Sequence, residues 1–158
     1  MFPKKFSNKI FKDNRGYLKE ITPNVIKKKF AYSILTTSKK NVLRGMHFNK
    51  KFKEEKLVHI LEGTIMDVAI NLNKGKNFGK IYYTKLKKNE CILIPKGYAH
   101  GYLCLDNMNT IIYLLTEKYS VKNNSGFIWN DKNFNIKWNI KKPIISSKDK
   151  NLKTYKEL

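Results

Sequence analysis

The stretch Lys56-Leu57-Val58-His59-Ile60-Leu61-Glu62-Gly63-Thr64-Ile65-Met66-Asp67-Val68-Ala69-Ile70-Asn71-Leu72 reads as two strands joined by a tight turn at Glu62-Gly63. Apolar runs of this length, rich in β-branched residues and broken by a glycine, mark a hairpin. In its second half Met66, Val68 and Ile70 share one face, and Ile65, Asp67 and Ala69 share the other. Working outward, similar short runs recur at Phe30–Thr36, Lys80–Leu86, Glu90–Ile94, Gly101–Leu105 and Thr110–Thr116. The segments between them carry turn formers: Gly75, Gly79, Lys88-Asn89, Pro95, Gly97 and Asp106-Asn107. Many short strands at even spacing, with almost no helical periodicity, predict an all-β jelly-roll barrel or sandwich. The polar tail from Ile136 to Leu158 leaves room for one short helical segment near its end.

With 158 residues and no internal repeat or linker, the chain reads as one domain over 1–158. A domain of this size buries roughly 70% of its unfolded surface, so it needs neither disulfide nor metal to fold. Apolar runs are short and broken by Lys, Asn and Asp, which argues against a transmembrane helix. The segment Met1–Ile10 lacks the apolar core of a secretory signal. Cys91 and Cys104 lie in apolar strand context and read as buried free thiols, which fits a cytoplasmic protein. The net charge is +21, from 33 Lys+Arg against 12 Asp+Glu. The lysines are scattered and accompany many Asn and Ile residues, so no basic stripe for nucleic acid emerges, and neither a nucleic-acid nor a membrane partner is expected. A positive field would instead concentrate an anionic, diphosphate-bearing substrate.

Two of the three histidines stand in glycine-containing segments, Arg44-Gly45-Met46-His47 and Pro95-Lys96-Gly97-Tyr98-Ala99-His100-Gly101. A barrel that aims both inward would have a cationic pocket containing a base. Taken alone, His47 reads first as a structural histidine satisfied within a core.

These segments belong to a longer ordered set. It runs through Asp13-Asn14-Arg15-Gly16-Tyr17-Leu18-Lys19-Glu20, Val42-Leu43-Arg44-Gly45-Met46-His47-Phe48, Lys56-Leu57-Val58, Gly63 and Asp67-Val68-Ala69. It continues through Ile94–Tyr102, Tyr113–Thr116, Tyr119, Gly126–Asp131 and Ser147-Lys148-Asp149. In order and spacing the chain resembles the dTDP-4-dehydrorhamnose 3,5-epimerase family, cupin-fold enzymes of nucleotide-sugar metabolism.

The resemblance implies roles for ten residues. His47 matches the base that removes the proton beside the sugar's keto group, and Asp149 the carboxylate that orients it. Tyr113 matches the opposing proton donor, a task that nearby cations would ease. Lys56 matches the lysine facing the keto oxygen, where a fixed ammonium stabilises an enolate. Arg15, Arg44 and His100 match residues that hold the diphosphate and sugar. Both arginines of the chain fall in matching motifs, and arginine offers planar contacts to phosphate that lysine cannot. Glu20 matches a substrate-contacting carboxylate, Tyr119 a stacking aromatic, and Asn124 the position of a family glutamate. His59 has no counterpart and reads as structural. The family's dimers exchange N-terminal strands, which would carry Arg15 and Glu20 into a neighbouring subunit's site. No cofactor is implied. No His-x-His pair accompanies the Pro95–His100 segment, so a metal-binding cupin set is not expected.

Tyr32 and Ile34 stand where the family has Gln-x-Asn, and Leu18 replaces a phenylalanine. The proton-transfer set is kept while nucleotide- and sugar-contacting positions change. The expectation is an isomerase that inverts carbon 3, carbon 5 or both of a nucleotide-linked 4-keto-6-deoxy hexose, with the family's own dTDP-4-keto-6-deoxyglucose a poor substrate. The alternatives are a single-position epimerase, a ketoisomerase, or a non-catalytic sugar-nucleotide-binding cupin.

Overall fold

The computed structural model describes residues 1–158 and contains twelve strands: β1 (Lys4–Ser7), β2 (Ile10–Asp13), β3 (Gly16–Lys19), β4 (Tyr32–Ser38), β5 (Leu43–Asn49), β6 (Lys56–Glu62), β7 (Thr64–Asn71), β8 (Ile81–Lys87), β9 (Glu90–Ile94), β10 (Tyr98–Cys104), β11 (Asn109–Leu115) and β12 (Asn124–Gly126). One sheet has the order β1-β9-β6-β11-β4 and the other β12-β5-β10-β7-β8, while β2 and β3 form a separate hairpin. Every pairing within these sheets is antiparallel. Two five-stranded antiparallel sheets facing one another form the expected jelly roll.

Alternation along the strands builds three apolar layers. Val58, Ile60, Ile65, Ala69, Ile92, Tyr98, Tyr102 and Ile111 pack between the sheets. Met46, Phe48, Val68, Ile70 and Leu103 point the other way and are covered by Phe127, Ile136 and Trp138 of the C-terminal segment. Leu57, Cys91 and Leu93 lie on the outer face of the first sheet, beneath Ile26 and Phe30. The faces read for the 64–72 strand hold: Val68 and Ile70 join the outer layer, Ile65 and Ala69 the inner one. The Glu62-Gly63 turn also forms, with Gly63 at φ 82°. Cys91 and Cys104 are buried free thiols, and burial pushes them up to about 12 and about 11.

The C-terminal segment is tied back onto the barrel. Leu43 donates to the Ile144 carbonyl at 2.9 Å and Ile144 to that of Asn41 at 2.8 Å. The Asp131 carboxylate, buried, accepts from the Tyr155 N–H at 2.6 Å. The tail holds the single-turn helix α1 (Ser147–Lys150) and a 3₁₀ turn at Tyr155–Glu157, in line with a short helical segment. The observed strands match the expected runs within a few residues. The additions are β5, β12 and β1 to β3, the last three with the sequences Lys-Lys-Phe-Ser, Ile-Phe-Lys-Asp and Gly-Tyr-Leu-Lys of four residues each. Those three, short and largely exposed, bury no face of their own and so carry no period-2 signal.

Candidate active site

The space between the sheets opens into a cavity of about 380 Å³, within the roughly 300–1,000 Å³ range of small-molecule sites. His47, Arg44, His100 and Tyr102 come to it from β5 and β10 of one sheet, and Lys56, Tyr113, Leu115, Ile34 and Thr36 from β6, β11 and β4 of the other. Tyr119, Asn124, Lys148 and Asp149 reach it from the segments that follow.

Glycine decides how the two histidine strands meet. A Cβ on Gly45, at φ 126°, would lie 2.6 Å from Gly101 Cα. A Cβ on Gly101 would lie 2.8 Å from the Arg44 carbonyl oxygen. Only a pair of glycines allows this approach. The β5–β10 register shifts between His100 and Tyr102, and on one side of that irregularity His47 is directly opposite His100.

Asp149 arrives from a sequence distance of 102 residues. Its Oδ1 lies 2.8 Å from His47 Nε2, and its Oδ2 accepts from the Gly45 N–H at 3.3 Å. The helix carrying it is capped by Ser146, whose hydroxyl accepts from the Asp149 N–H at 3.1 Å. Burial pulls the Asp149 carboxyl up, but the bonds from His47 and Gly45 outweigh it and hold it below the usual value. An ionised carboxylate accepts a hydrogen bond from the Nε2–H of His47 and so leaves Nδ1 as the basic atom. The His47 side chain keeps 32% exposure.

A second pair lies deeper. His100 Nε2 is 2.6 Å from Asp67 Oδ2, with side-chain exposures of 4% and 1%. Asp67 stands across from Tyr102 on β7, so it meets His100 diagonally. The His100 ring packs edge-on against Tyr113 at 6.2 Å between centroids. Tyr113 is held well above the usual phenol value, first by burial and then by Tyr102 and Asp67; Arg44 pulls the other way and does not prevail. The condition that the sequence reading named, an ionisation eased by nearby cations, is therefore not met. The effect is to keep the hydroxyl protonated and able to donate.

Lys56 Nζ pairs with Glu54 Oε1 at 3.2 Å. Arg44 donates from Nε to Ser38 Oγ at 3.1 Å. Tyr119 stacks on Tyr32 at 6.3 Å and 23°, and its hydroxyl accepts from Asn124 Nδ2 at 3.3 Å. No group of three or more His, Cys, Asp or Glu side chains is arranged to hold a metal ion.

The family model for dTDP-4-dehydrorhamnose 3,5-epimerase matches residues 4–157. The chain belongs to this family. It is a family of isomerases, and the cupin jelly roll is its fold. A dTDP-4-dehydrorhamnose 3,5-epimerase of Shigella flexneri is 32% identical over 157 residues, covering 92% of this chain and 87% of the relative. The crystal structure of the Bacillus anthracis dTDP-4-dehydrorhamnose 3,5-epimerase, with TDP and PPi bound, superposes with a TM-score of 0.88 at 31% identity, over 96% of this chain and 93% of that one. A Legionella pneumophila dTDP-6-deoxy-D-glucose-3,5-epimerase in complex with dTDP-4-keto-L-rhamnose gives 0.86 at 29% identity, over 96% and 87%.

Of the ten residues singled out from the sequence, eight border the cavity: His47, Asp149, Tyr113, Lys56, Arg44, His100, Tyr119 and Asn124. Arg15 and Glu20 do not border it within one chain. Arg15 sits at the exposed tip of the β2–β3 hairpin, paired with Asp13 at 2.7 Å. Glu20 follows that hairpin and accepts from Asn8 Nδ2 through its backbone carbonyl. The sequence reading assigned no role to Asp67, Tyr102, Glu54 or Lys148. Asp67 was legible as the one carboxylate on an otherwise apolar strand face. The other three lay within or beside quoted motifs with no signal to separate them from their neighbours.

Proposed function

We propose that this epimerase-family chain inverts carbon 3, carbon 5 or both of a nucleotide-diphosphate-linked 4-keto-6-deoxy hexose. The observation that carries the reading is the placement of base and acid on opposite walls. His47, oriented by Asp149, stands on β5 of one sheet, and Tyr113 on β11 of the other. A sugar ring between them presents one face to each, which is the requirement for inversion.

In this reading His47 Nδ1 takes the proton alpha to the ketone, and the bond's electron pair moves into an enolate whose oxygen faces Lys56. Tyr113 then gives its proton to the same carbon from the other side. Solvent removes the proton from the half-buried His47 and restores the one lost by Tyr113, so the enzyme ends as it began. His100, fixed by Asp67, holds the sugar. Arg44 offers guanidinium N–H groups to the diphosphate, and Tyr119 an aromatic face to the base, with Asn124 beside it. The relatives bound to TDP or to a dTDP-sugar support this ligand class. Tyr32 backs Tyr119, and Ile34 lines the cavity as the cross-strand neighbour of Tyr113. Neither adds or removes a proton-transfer group, so the changes there act on which nucleotide and sugar the cavity accepts.

The exposed Phe11, Tyr17 and Leu18 of the β2–β3 hairpin favour a homodimer in which this hairpin carries Arg15 and Glu20 to the partner's cavity. A cytoplasmic enzyme supplying sugars for surface polysaccharide fits the same reading.

The test is proton exchange in heavy water with 4-keto-6-deoxy sugars linked to dTDP, GDP, CDP and UDP, followed by NMR. Deuterium is expected at carbon 3, carbon 5 or both with at least one nucleotide. A folded protein that exchanges neither carbon with any of them would sink the assignment.

A further inference from the structure

The cavity wall carries the cations Arg44, Lys56 and Lys148 but only two carboxylates, Asp149 and Glu54. Asp149 is taken by His47. Glu54 faces Lys56, its Oε1 3.2 Å from the ammonium, with side-chain exposures of 11% for Glu54 and 13% for Lys56. Neither side chain makes another ion pair.

The local backbone is fixed independently of this pair. The Glu55 N–H donates to Thr116 Oγ1 at 2.9 Å, and the Thr116 N–H donates to the Glu55 carbonyl at 3.0 Å. Glu55 turns away from the cavity and pairs with Lys28 at 2.7 Å. Glu54 and Lys56, two residues apart in extended chain, therefore share the inward side.

We propose that Glu54 is a positioning residue for Lys56, an inference that rests on the role given to Lys56 above. A lysine has a flexible four-carbon stem, and an ammonium that samples many rotamers is not a preorganised donor. A carboxylate beside it narrows that freedom and leaves its remaining N–H groups for the enolate oxygen. Its negative charge also disfavours the diphosphate at this end of the cavity. Arg44 then holds the phosphates, and the uncharged sugar lies at Lys56.

The test is a double-mutant cycle with Glu54→Ala, Glu54→Gln, Lys56→Met and Glu54→Ala/Lys56→Met, read as kcat and KM on the keto-sugar that the exchange panel identifies. Glu54→Ala should lower kcat roughly 10-fold with KM within about threefold. Glu54→Gln, whose amide oxygen still reaches the ammonium, should stay within about threefold of the parent. In the Lys56→Met background, Glu54→Ala should change kcat less than about twofold, because residues acting as a unit are not additive. A further tenfold loss in that background, or a raised KM with kcat intact, overturns the positioning role. Each would mean an independent structural or substrate contact. Wild-type turnover by Lys56→Met overturns the role of Lys56 itself. A dead Lys56→Met enzyme beside a wild-type-like Glu54→Ala enzyme overturns that of Glu54 alone.

Discussion

The pairs His47–Asp149 and His100–Asp67 use the same two side chains at 2.8 and 2.6 Å, in opposite surroundings. The His47 ring is about one-third exposed at the cavity, and its carboxylate is delivered by a distant C-terminal helix. His100 and Asp67 are almost wholly enclosed on adjacent strands of one sheet. A base that gives up a proton in each turnover needs solvent and an orienting partner. A group that only holds its ligand is better served by rigid, dry surroundings. The first pair should therefore govern rate, and the second stability and binding.

The sharpest way to break this division is His47→Asn. Loss of the base should lower kcat by roughly 10³-fold or more with little change in KM. A loss below tenfold, measured on the preferred keto-sugar, would move the base elsewhere. Asp149→Asn keeps the shape but no longer fixes the tautomer. It should cost about 10²-fold in kcat while unfolding free energy in urea changes by about 1 kcal/mol or less.

The inner pair should show the reverse. Asp67→Ala leaves the His100 ring without its partner in an almost wholly enclosed position and should destabilise the fold by roughly 2–4 kcal/mol. A denaturation midpoint close to the parent's would show that the inner pair has no structural role.

His59 sharpens the comparison as the histidine with no carboxylate. It is fully buried with neither ring nitrogen in a well-formed hydrogen bond, and burial, then the Lys19 charge, lowers it from 6.5 to about 4 against a weak opposing contact with the Ile21 backbone. The unfolded chain thus binds a proton near pH 6.5 that the folded chain refuses until about pH 4. This burden is absent above pH 6.5 and grows as pH falls towards 4, reaching about 2 kcal/mol between pH 7 and 5. His59→Leu should remove that component, so urea unfolding at the two pH values should differ less than in the parent. An unchanged difference would assign the pH sensitivity to other groups.

How far the sequence could be read depended on whether a residue's role is local. The 56–72 hairpin was legible because alternation and a turn glycine are local signals. His47, Asp149, Tyr113 and Lys56 were legible because their motifs match a family, and they converge on one cavity as that match implies. The β2–β3 hairpin was missed as structure because its apolar residues face outward from this chain. The direction of the shift at Tyr113 was not legible, because it depends on the phenol's burial against Tyr102 and Asp67, which neighbours in sequence do not fix.

Composition, strand periodicity and motif order by themselves determined an all-β barrel with two histidines and a distant aspartate as its chemical equipment. Only the tertiary structure decided that Asp67 serves His100, that base and acid occupy facing sheets, and that Glu54 stands against Lys56. These are distances of a few ångströms between strands and segments far apart in the chain, or between side chains whose inward turn a neighbouring strand fixes. Packing and register set them, and a linear sequence carries neither.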